Sequence, residues 1–306
     1  MMRLDFKTFS MTQRVNTLLR AGVLAGVIML PGSVRPASAQ GSLLTINGTQ
    51  LYVTIHGSGR PVVLLHGGFM DSTMWDTQAA VLAKGFKVIR FDLRGFGRSA
   101  KPKEPYRPTD DIAALLDHLK VRRAAVVGLS MGGGIAIDFA LGHPDRVNCL
   151  VLAEPGLSGY QWSKEVMETM NTVMTAAKEQ GRDAAIEVFL GRPVFASAKD
   201  KPAAYAAIRA QLLQNFSLED NQMLAVRPLA VDRLPELKIP TLVLVAERGG
   251  PDALAIATRI KSEVAGAKLV TLRGSGHMMN FEQPEAFNRI LAEFLTANAP
   301  SQAGGQ

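Results

Sequence analysis

The chain has 306 residues, of which 47% are apolar and 20% are charged. This composition excludes a disordered or fibrous protein and allows one large domain with an insertion. The net charge is +7, but five of the basic residues and only one acidic residue lie in the first 39 positions. The remainder has no block of Lys and Arg interleaved with aromatic residues, so we expect no nucleic-acid partner.

The first 39 residues have the pattern of a secretory signal peptide. A basic stretch ending at Arg20 leads into the apolar run 21–30, and the small residues Ala37, Ser38 and Ala39 follow. Ten apolar residues are too few to cross a bilayer as a helix. We expect cleavage after Ala39, export to the periplasm or the medium, and no stable membrane anchor, with an uncleaved amphipathic anchor as the alternative.

The next elements predict an α/β fold. Residues 43–56 contain two short apolar segments around Asn47-Gly48, which is a turn signal typical of a β-hairpin. Strands buried on both faces read as short apolar runs without polar alternation, and strands separated by helices form parallel sheets. Such runs alternate with helical segments, which predicts a mostly parallel central sheet flanked by helices; the runs are residues 62–65, 88–91, 124–127, 147–153, 241–246 and 268–272.

Residues 155–234 interrupt this alternation, because they contain no strand-like run and several helical ones, among them 165–180 and 203–213. We interpret them as a helical cap over an active site. The α/β core would then comprise residues 40–154 and 235–299. Residues 300–306 are rich in Gly, Gln and Ser and are expected to form a disordered tail.

The strongest catalytic signal is Gly128-Leu129-Ser130-Met131-Gly132, which lies between the predicted strand 124–127 and the helical segment 135–141. A strand that turns directly into a helix at Ser130 exposes the hydroxyl group as a nucleophile. The glycines remove side chains that would clash in so tight a turn. The same turn aims the backbone N–H of Met131 at a developing oxyanion.

A second signal, His66-Gly67-Gly68-Phe69, follows the predicted strand 62–65. A Gly there lets the backbone approach a bound ester and supply a second oxyanion N–H, for which Gly68 is the favoured donor and Phe69 the alternative. His66 leaves the strand directly and is interpreted as structural.

The general base is predicted to be His277. It follows Gly274-Ser275-Gly276 on a loop after the last predicted strand and comes after the nucleophile in the chain. Glycines beside a His permit the tight turn that lets the imidazole reach a hydroxyl group on another loop.

With these motifs, and with Asp-Leu-Arg-Gly-Phe-Gly-Arg-Ser at residues 92–99, the sequence resembles the α/β-hydrolase family over residues 43–297. The resemblance implies that Ser130 attacks a carbonyl, that His277 takes its proton, and that Met131 and Gly68 hold the oxyanion. It also implies a structural role for residues 92–99. Within the family the chain is most similar to capped esterases and lactonases, such as the 3-oxoadipate enol-lactonases and their relatives.

The sequence departs from this family at the acid of the catalytic triad. After the strand 241–246 the family shows Gly, an acid, any residue and then the catalytic Asp, whereas this chain places Gly249 at the Asp position. A His base needs a carboxylate that fixes its tautomer and stabilises the imidazolium, so a complete loss would reduce turnover severely.

Two carboxylates are candidates to replace the missing Asp. Glu154 follows the strand 147–153, the position from which haloalkane dehalogenases and zearalenone-type lactone hydrolases take their acid. Asp252 would serve if the loop at Gly249 and Gly250 bends back. We favour Glu154, because it needs no loop rearrangement, although an acid before Pro155 is also typical of a plain turn residue.

The sequence therefore predicts hydrolysis of a small-molecule carboxylic ester or lactone through an acyl-enzyme on Ser130. No metal ligand cluster and no organic cofactor motif is visible, so we expect no cofactor. Hydrolysis of C–C, amide or peptide bonds by the same residues stays open, because the fold does not fix the substrate. A low-turnover ligand-binding protein is the alternative from another class, and Gly249 motivates it.

Overall fold

A computed structural model describes residues 41–217 and 222–298 of the chain. The predicted signal peptide, including the cleavage point after Ala39, lies outside the described residues, as does the predicted tail 300–306. Within the described residues, none of the helices is long and apolar enough to cross a membrane.

Eight strands of the described residues form one sheet in the order β1-β2-β4-β3-β5-β6-β7-β8. The hairpin strands pair antiparallel with each other and β2 pairs antiparallel with β4, while every other neighbour is parallel. The strands are β1 Ser42–Ile46, β2 Thr49–His56, β3 Arg60–Leu65, β4 Phe86–Phe91, β5 Ala124–Leu129, β6 Val147–Ala153, β7 Thr241–Ala246 and β8 Lys268–Leu272.

Except in the edge strand β8, where only the last residue is buried, the apolar runs form buried strands because both faces of the sheet are covered. Val62 and Leu64 of β3 pack in one apolar cluster, and Val63 and Leu65 pack in the other. Helices α1 and α10 contribute to the first cluster, whereas α2, α3 and α8 contribute to the second. The predicted α/β class and mostly parallel sheet are confirmed.

The predicted hairpin is also confirmed. Asn47 and Gly48 join β1 to β2 with φ values of 48° and 72°. Both angles lie in the left-handed region that a two-residue type I′ turn requires.

The α-helices of the described residues surround the sheet or lie between β6 and β7. Their bounds are α1 Asp76–Leu82, α2 Pro108–His118, α3 Met131–Gly142, α4 Lys164–Glu179, α5 Arg182–Leu190, α6 Ala196–Lys199, α7 Pro202–Asn215, α8 Pro251–Glu263, α9 Met279–Glu282 and α10 Pro284–Asn298. Helices α4 to α7 lie in the segment predicted to be a cap. Between α7 and β7 the described residues contain no α-helix, and the backbone of Tyr106 bonds to that of Gln222 and Leu224. The cap boundaries 155–234 stay a prediction.

Candidate active site

The candidate site lies where the parallel strands end. The carboxyl ends of β3, β5, β6 and β7 meet at one edge of the sheet, and the loop after β8 reaches the same edge. Crevices at this edge are the usual ligand sites of open α/β sheets. A cavity of about 490 Å³ opens here, and its lining includes all the residues predicted for catalysis; these are Ser130, His277, Glu154, Asp252, Met131, Gly68 and Phe69.

Ser130 lies between the last residue of β5 and the first residue of α3. Its φ of 55° and ψ of −117° are strained for a residue with a side chain. Hydrogen bonds on both sides hold this geometry, because the Ser130 N–H donates to the Ala153 carbonyl at 2.9 Å and the Ser130 carbonyl accepts from Gly156 N at 2.8 Å. The hydroxyl-bearing turn is therefore fixed by β6 and by the loop that follows it.

The glycines around Ser130 are required by close packing. A Cβ atom on Gly132 would lie 2.6 Å from the His66 carbonyl oxygen, and one on Gly133 would lie 2.8 Å from Cβ of Pro155. The start of α3 can approach β3 and the β6 loop this closely only without side chains. Helix α3 begins at Met131, four residues before the predicted segment, because the glycines are part of the helix rather than a loop.

Three backbone N–H groups are candidates for the oxyanion hole. Met131 is the first residue of α3, and Gly68 and Phe69 lie on the loop after β3. Phe69 has a φ of 58°. A Cβ atom on Gly68 would come within 3.9 Å of the Met131 side chain, so the loop after β3 lies beside the start of α3. The choice between Gly68 and Phe69 stays open.

The structure brings Glu154 and His277 together. Oε2 of Glu154 lies 3.3 Å from Nδ1 of His277, within hydrogen-bond reach for a base and its carboxylate. The other oxygen, Oε1, accepts the Ala246 N–H at 2.7 Å. The Glu154 side chain is 0% exposed and that of His277 is 22% exposed, so the carboxylate is buried and the partly exposed imidazole lines the cavity.

The backbone of Glu154 is also unusual. Its φ is 44°, and its N–H donates to the Leu244 carbonyl at 2.9 Å. A left-handed conformation is costly for a residue with a side chain and persists only where neighbouring contacts hold it. This conformation is held in place directly beside β7.

Asp252 is engaged elsewhere. In the first turn of α8, its carboxylate accepts from the Tyr160 hydroxyl at 2.9 Å and from the Ser163 hydroxyl at 2.6 Å. These bonds join α8 to the segment that enters α4. Asp252 lines the cavity, but its carboxylate is bonded to this segment, whereas that of Glu154 contacts His277.

The space beside Gly249 explains its lack of a side chain. A Cβ atom built there would lie 2.6 Å from Cδ of Glu154 and 2.5 Å from Oε2. Two such groups cannot share that volume. The buried carboxylate of Glu154 thus occupies the place that a side chain at position 249 would need.

His66 has the surroundings of a structural residue. Its Nε2 accepts the Leu93 N–H at 2.9 Å, which leaves the proton on Nδ1 to donate to the Gly67 carbonyl at 2.8 Å. Burial lowers the pKa of this imidazole, so the ring is held neutral. The loop at residues 92–99 is similarly tied down, because Asp92 accepts from Ser72 N and Arg98 N.

Sequence reasoning missed the residues between β6 and β7 that fix His277. The His277 N–H donates to the Val194 carbonyl at 3.0 Å, and the His277 ring meets Phe195 edge-on at 6.1 Å. Both residues belong to a 3₁₀ turn, Pro193–Phe195, that precedes α6. Arg192, next to this turn, also lines the cavity. No local pattern marks these positions, because the contacts join segments more than 80 residues apart.

In the two described ranges, no group of His, Cys, Asp and Glu side chains has a geometry that could hold a metal ion. The single cysteine, Cys149, is buried in β6, and burial raises the pKa of its thiol to about 12. It is a neutral packing residue away from the cavity.

Comparisons with known proteins agree with this fold. The profile of the Alpha/beta hydrolase family matches residues 62–290. A putative carbamate hydrolase, RutD, from Caulobacter sp. strain K31 is 29% identical over 274 residues, which cover 83% of this chain and 98% of that protein.

Two solved structures are similar along their whole length. The enol-lactonase from Burkholderia xenovorans LB400 superposes with a TM-score of 0.70 at 29% identity, covering 83% of this chain and 100% of that one. A thermophilic esterase from Thermogutta terrifontis, solved with malate bound, gives a TM-score of 0.73 at 29% identity, covering 86% and 100%.

Proposed function

Because the chain belongs to the alpha/beta hydrolase family, we propose that it hydrolyses a carboxylic ester or lactone through an acyl-enzyme on Ser130. His277 is the general base, and Glu154 orients it. The observation that carries the proposal is the 3.3 Å contact between Glu154 and His277 in a cavity that Ser130 also lines. Glu154 thus supplies the carboxylate that Gly249, which stands at the family's Asp position, lacks.

The chemistry follows from the positions of these groups. Nε2 of His277 takes the proton of the Ser130 hydroxyl as the oxygen attacks the carbonyl carbon. The resulting oxyanion accepts from the Met131 N–H and from a second N–H on the loop after β3. His277 then gives its proton to the departing alcohol oxygen. A water molecule, deprotonated by the same imidazole, releases the acid and restores Ser130.

Glu154 acts in every one of these steps through His277. While the imidazole holds a second proton, the carboxylate stabilises the positive charge at Nδ1. Its own position is secured by the Ala246 N–H, so the charge needs no rearrangement during the reaction. Glu154 is therefore a positioning residue rather than a group that touches the substrate.

The cavity and the relatives support an ester bond as the one that is cleaved. The lining contains many apolar side chains, including several methionines, which adapt to irregular acyl or aryl groups. Solved relatives are named as an enol-lactonase and an esterase, and these names favour ester and lactone substrates. Amide and carbamate substrates are the other arms of the test.

A ligand-binding protein with little turnover is less well supported. Gly249 motivated that alternative, because an active-site His without a carboxylate loses its orientation. With Glu154 at hydrogen-bond distance, His277 has that carboxylate.

A substrate panel tests the proposal. Chromogenic aryl esters, simple lactones, aryl carbamates and anilides are offered to the protein and to Ser130→Ala. We expect turnover of esters or lactones, with a burst of phenolate that equals the enzyme concentration, and none in the variant. Equal rates in the two proteins, or turnover of anilides alone, would contradict ester hydrolysis.

We also propose that the protein is exported and that residues 1–39 are removed. The basic, apolar and small-residue order of the sequence supports this. The amino-terminal sequence of protein recovered from a periplasmic fraction tests it; a mature chain that retains residues 1–39 would contradict the proposal.

A further inference from the structure

Arg192 is the one Lys or Arg side chain among the described residues that line the cavity. Its guanidinium carbon lies 5.1 Å from the ring centre of Phe189 and 5.9 Å from that of Phe195. Both rings line the cavity as well. Aromatic faces attract and hold a planar guanidinium group, so the charge is fixed at the cavity wall.

Arg192 has no protein counter-ion in the described ranges. Among the acids of the cavity, Glu154 is bonded to the catalytic imidazole, and Asp252 is bonded to the segment that enters α4. Glu165 is exposed and makes no ion pair with Arg192 within 4 Å. Burial lowers the pKa of Arg192, because the apolar surroundings solvate its charge poorly.

A half-buried cation without a counter-ion is costly, and proteins normally pair such a group with an anion. The guanidinium fork is shaped for a carboxylate, which it binds through two parallel hydrogen bonds. An anion that enters with the substrate would complete the pair.

We propose that Arg192 binds a carboxylate carried by the substrate, so that the preferred substrates are esters or lactones with a free carboxylate group. The inference rests on the proposed function and names the substrate class of the same site. Arg192 is then a specificity-determining binding residue.

The position of Arg192 limits the distance between that carboxylate and the bond that is cleaved. The guanidinium carbon lies 5.9 Å, and the His277 ring 6.1 Å, from the same Phe195 ring centre. The cation and the base are therefore no farther apart than these two distances combined. A short linker of a few carbon atoms is expected between the carboxylate and the scissile carbonyl.

Matched substrate pairs test the inference. The mono-4-nitrophenyl ester of glutaric acid is compared with its methyl ester, which has the same chain but no charge. 4-Acetoxybenzoic acid and its methyl ester place the charge on the alcohol side instead. The kcat/KM ratio within each pair is measured for the wild type, Arg192→Met, Arg192→Lys and Arg182→Met. Arg182 is a matched control, because it is an exposed arginine at the start of α5.

We expect Arg192→Met to lower kcat/KM for at least one charged ester by about 10- to 100-fold, the loss of one charge-assisted pair. The effect should fall on KM, while the neutral partner changes little and Arg192→Lys keeps part of the preference. Arg182→Met should change neither. An equal effect of Arg192→Met on charged and neutral esters, or no effect, would overturn the inference.

A binding measurement separates this inference from the proposed function. Calorimetric titration of Ser130→Ala with monomethyl glutarate should give a complex that is weakened about tenfold or more in Ser130→Ala/Arg192→Met. If the wild type cleaves no ester but this difference is found, the proposed function fails and the carboxylate site stands. If the two variants bind equally, or neither binds, the carboxylate site is refuted even where neutral esters are cleaved.

Discussion

Replacing Glu154 by Gln should disable the general base while preserving the shape of the site. Oε1 of Glu154 accepts the Ala246 N–H at 2.7 Å. In the Gln variant this N–H can be satisfied only by the amide oxygen, so the amide nitrogen must face Nδ1 of His277. That nitrogen donates, and Nδ1 must then accept. The imidazole proton is forced onto Nε2, the nitrogen that takes the Ser130 proton in the proposed mechanism.

The expected loss follows from this change of tautomer. A His with its proton on Nε2 cannot take the Ser130 proton, and the charge that stabilised the imidazolium is also gone. In a serine protease triad, the corresponding change of the acid to its amide lowers kcat by about 10⁴-fold, which corresponds to ~5 kcal/mol of transition-state stabilisation. We expect a loss of about this size, with KM and the thermal unfolding midpoint little changed, because packing and the Ala246 bond are retained.

The assay compares kcat of Glu154→Gln with that of Asp252→Asn on the best ester of the panel. The Asp252 carboxylate holds the segment before α4, so its amide should keep kcat within about tenfold of the wild type. The reverse result, with Glu154→Gln active and Asp252→Asn inactive, would refute our assignment of the acid. Similar small losses in both variants would show that His277 works without either carboxylate.

Three further predictions concern the same edge of the sheet. Gly249→Asp should be destabilised and inactive in the wild-type background, because its Cβ overlaps the Glu154 carboxylate. The double variant Glu154→Ala/Gly249→Asp should be more active than Glu154→Ala alone. No gain in activity would show that the two positions do not exchange roles. Gly132→Ala should lower the free energy of unfolding, measured with denaturant, by about 1–3 kcal/mol, because a Cβ there meets the carbonyl groups at the end of β3. At Gly142 of the same helix a Cβ meets nothing within 4 Å, so Gly142→Ala should be neutral or slightly stabilising. Burial lowers the pKa of His66, so below about pH 6.5 the unfolded chain binds a proton there that the folded protein does not. The free energy of unfolding should therefore fall by ~1.4 kcal/mol per pH unit until the folded-state pKa is reached. His66→Asn should lack this slope, and an identical slope would contradict the interpretation of His66 as a buried neutral residue.

The sequence was sufficient for the sheet, because the strands are signalled by short-range patterns. The predicted bounds of β6, β7 and β8 agree with the structure, and each strand is followed directly by a charged residue, Glu154, Glu247 or Arg273. Strand β4 begins two residues before its predicted start, at Phe86. Lys87 interrupts the apolar run there, although pairing with β3 continues through it.

The residues of the site likewise fall into those that short-range sequence patterns indicate and those that only long-range contacts bring to the cavity. The turn at Ser130 and the loop at His277 are local arrangements of glycines, and their surroundings can be recognised from neighbouring residues alone. Arg192 and Val194 reach the cavity only because the segment between β6 and β7 folds back over the strand ends. No spacing in the sequence encodes that path.

Glu154 and Gly249 show how one sequence difference can be interpreted in two ways. Considered alone, Gly249 indicates the loss of a catalytic acid. In the structure the two positions compete for one volume, since a Cβ at 249 would overlap the Glu154 carboxylate. Glu154, which directly follows β6, has a longer side chain than an Asp and therefore requires the residue at position 249, after β7, to be small. Gly is the smallest residue available. The strained φ of 44° at Glu154, a conformation that costs of order 1–3 kcal/mol, points the same way. A strained backbone conformation is retained where it positions a side chain that the protein needs. Here it positions the carboxylate that contacts His277.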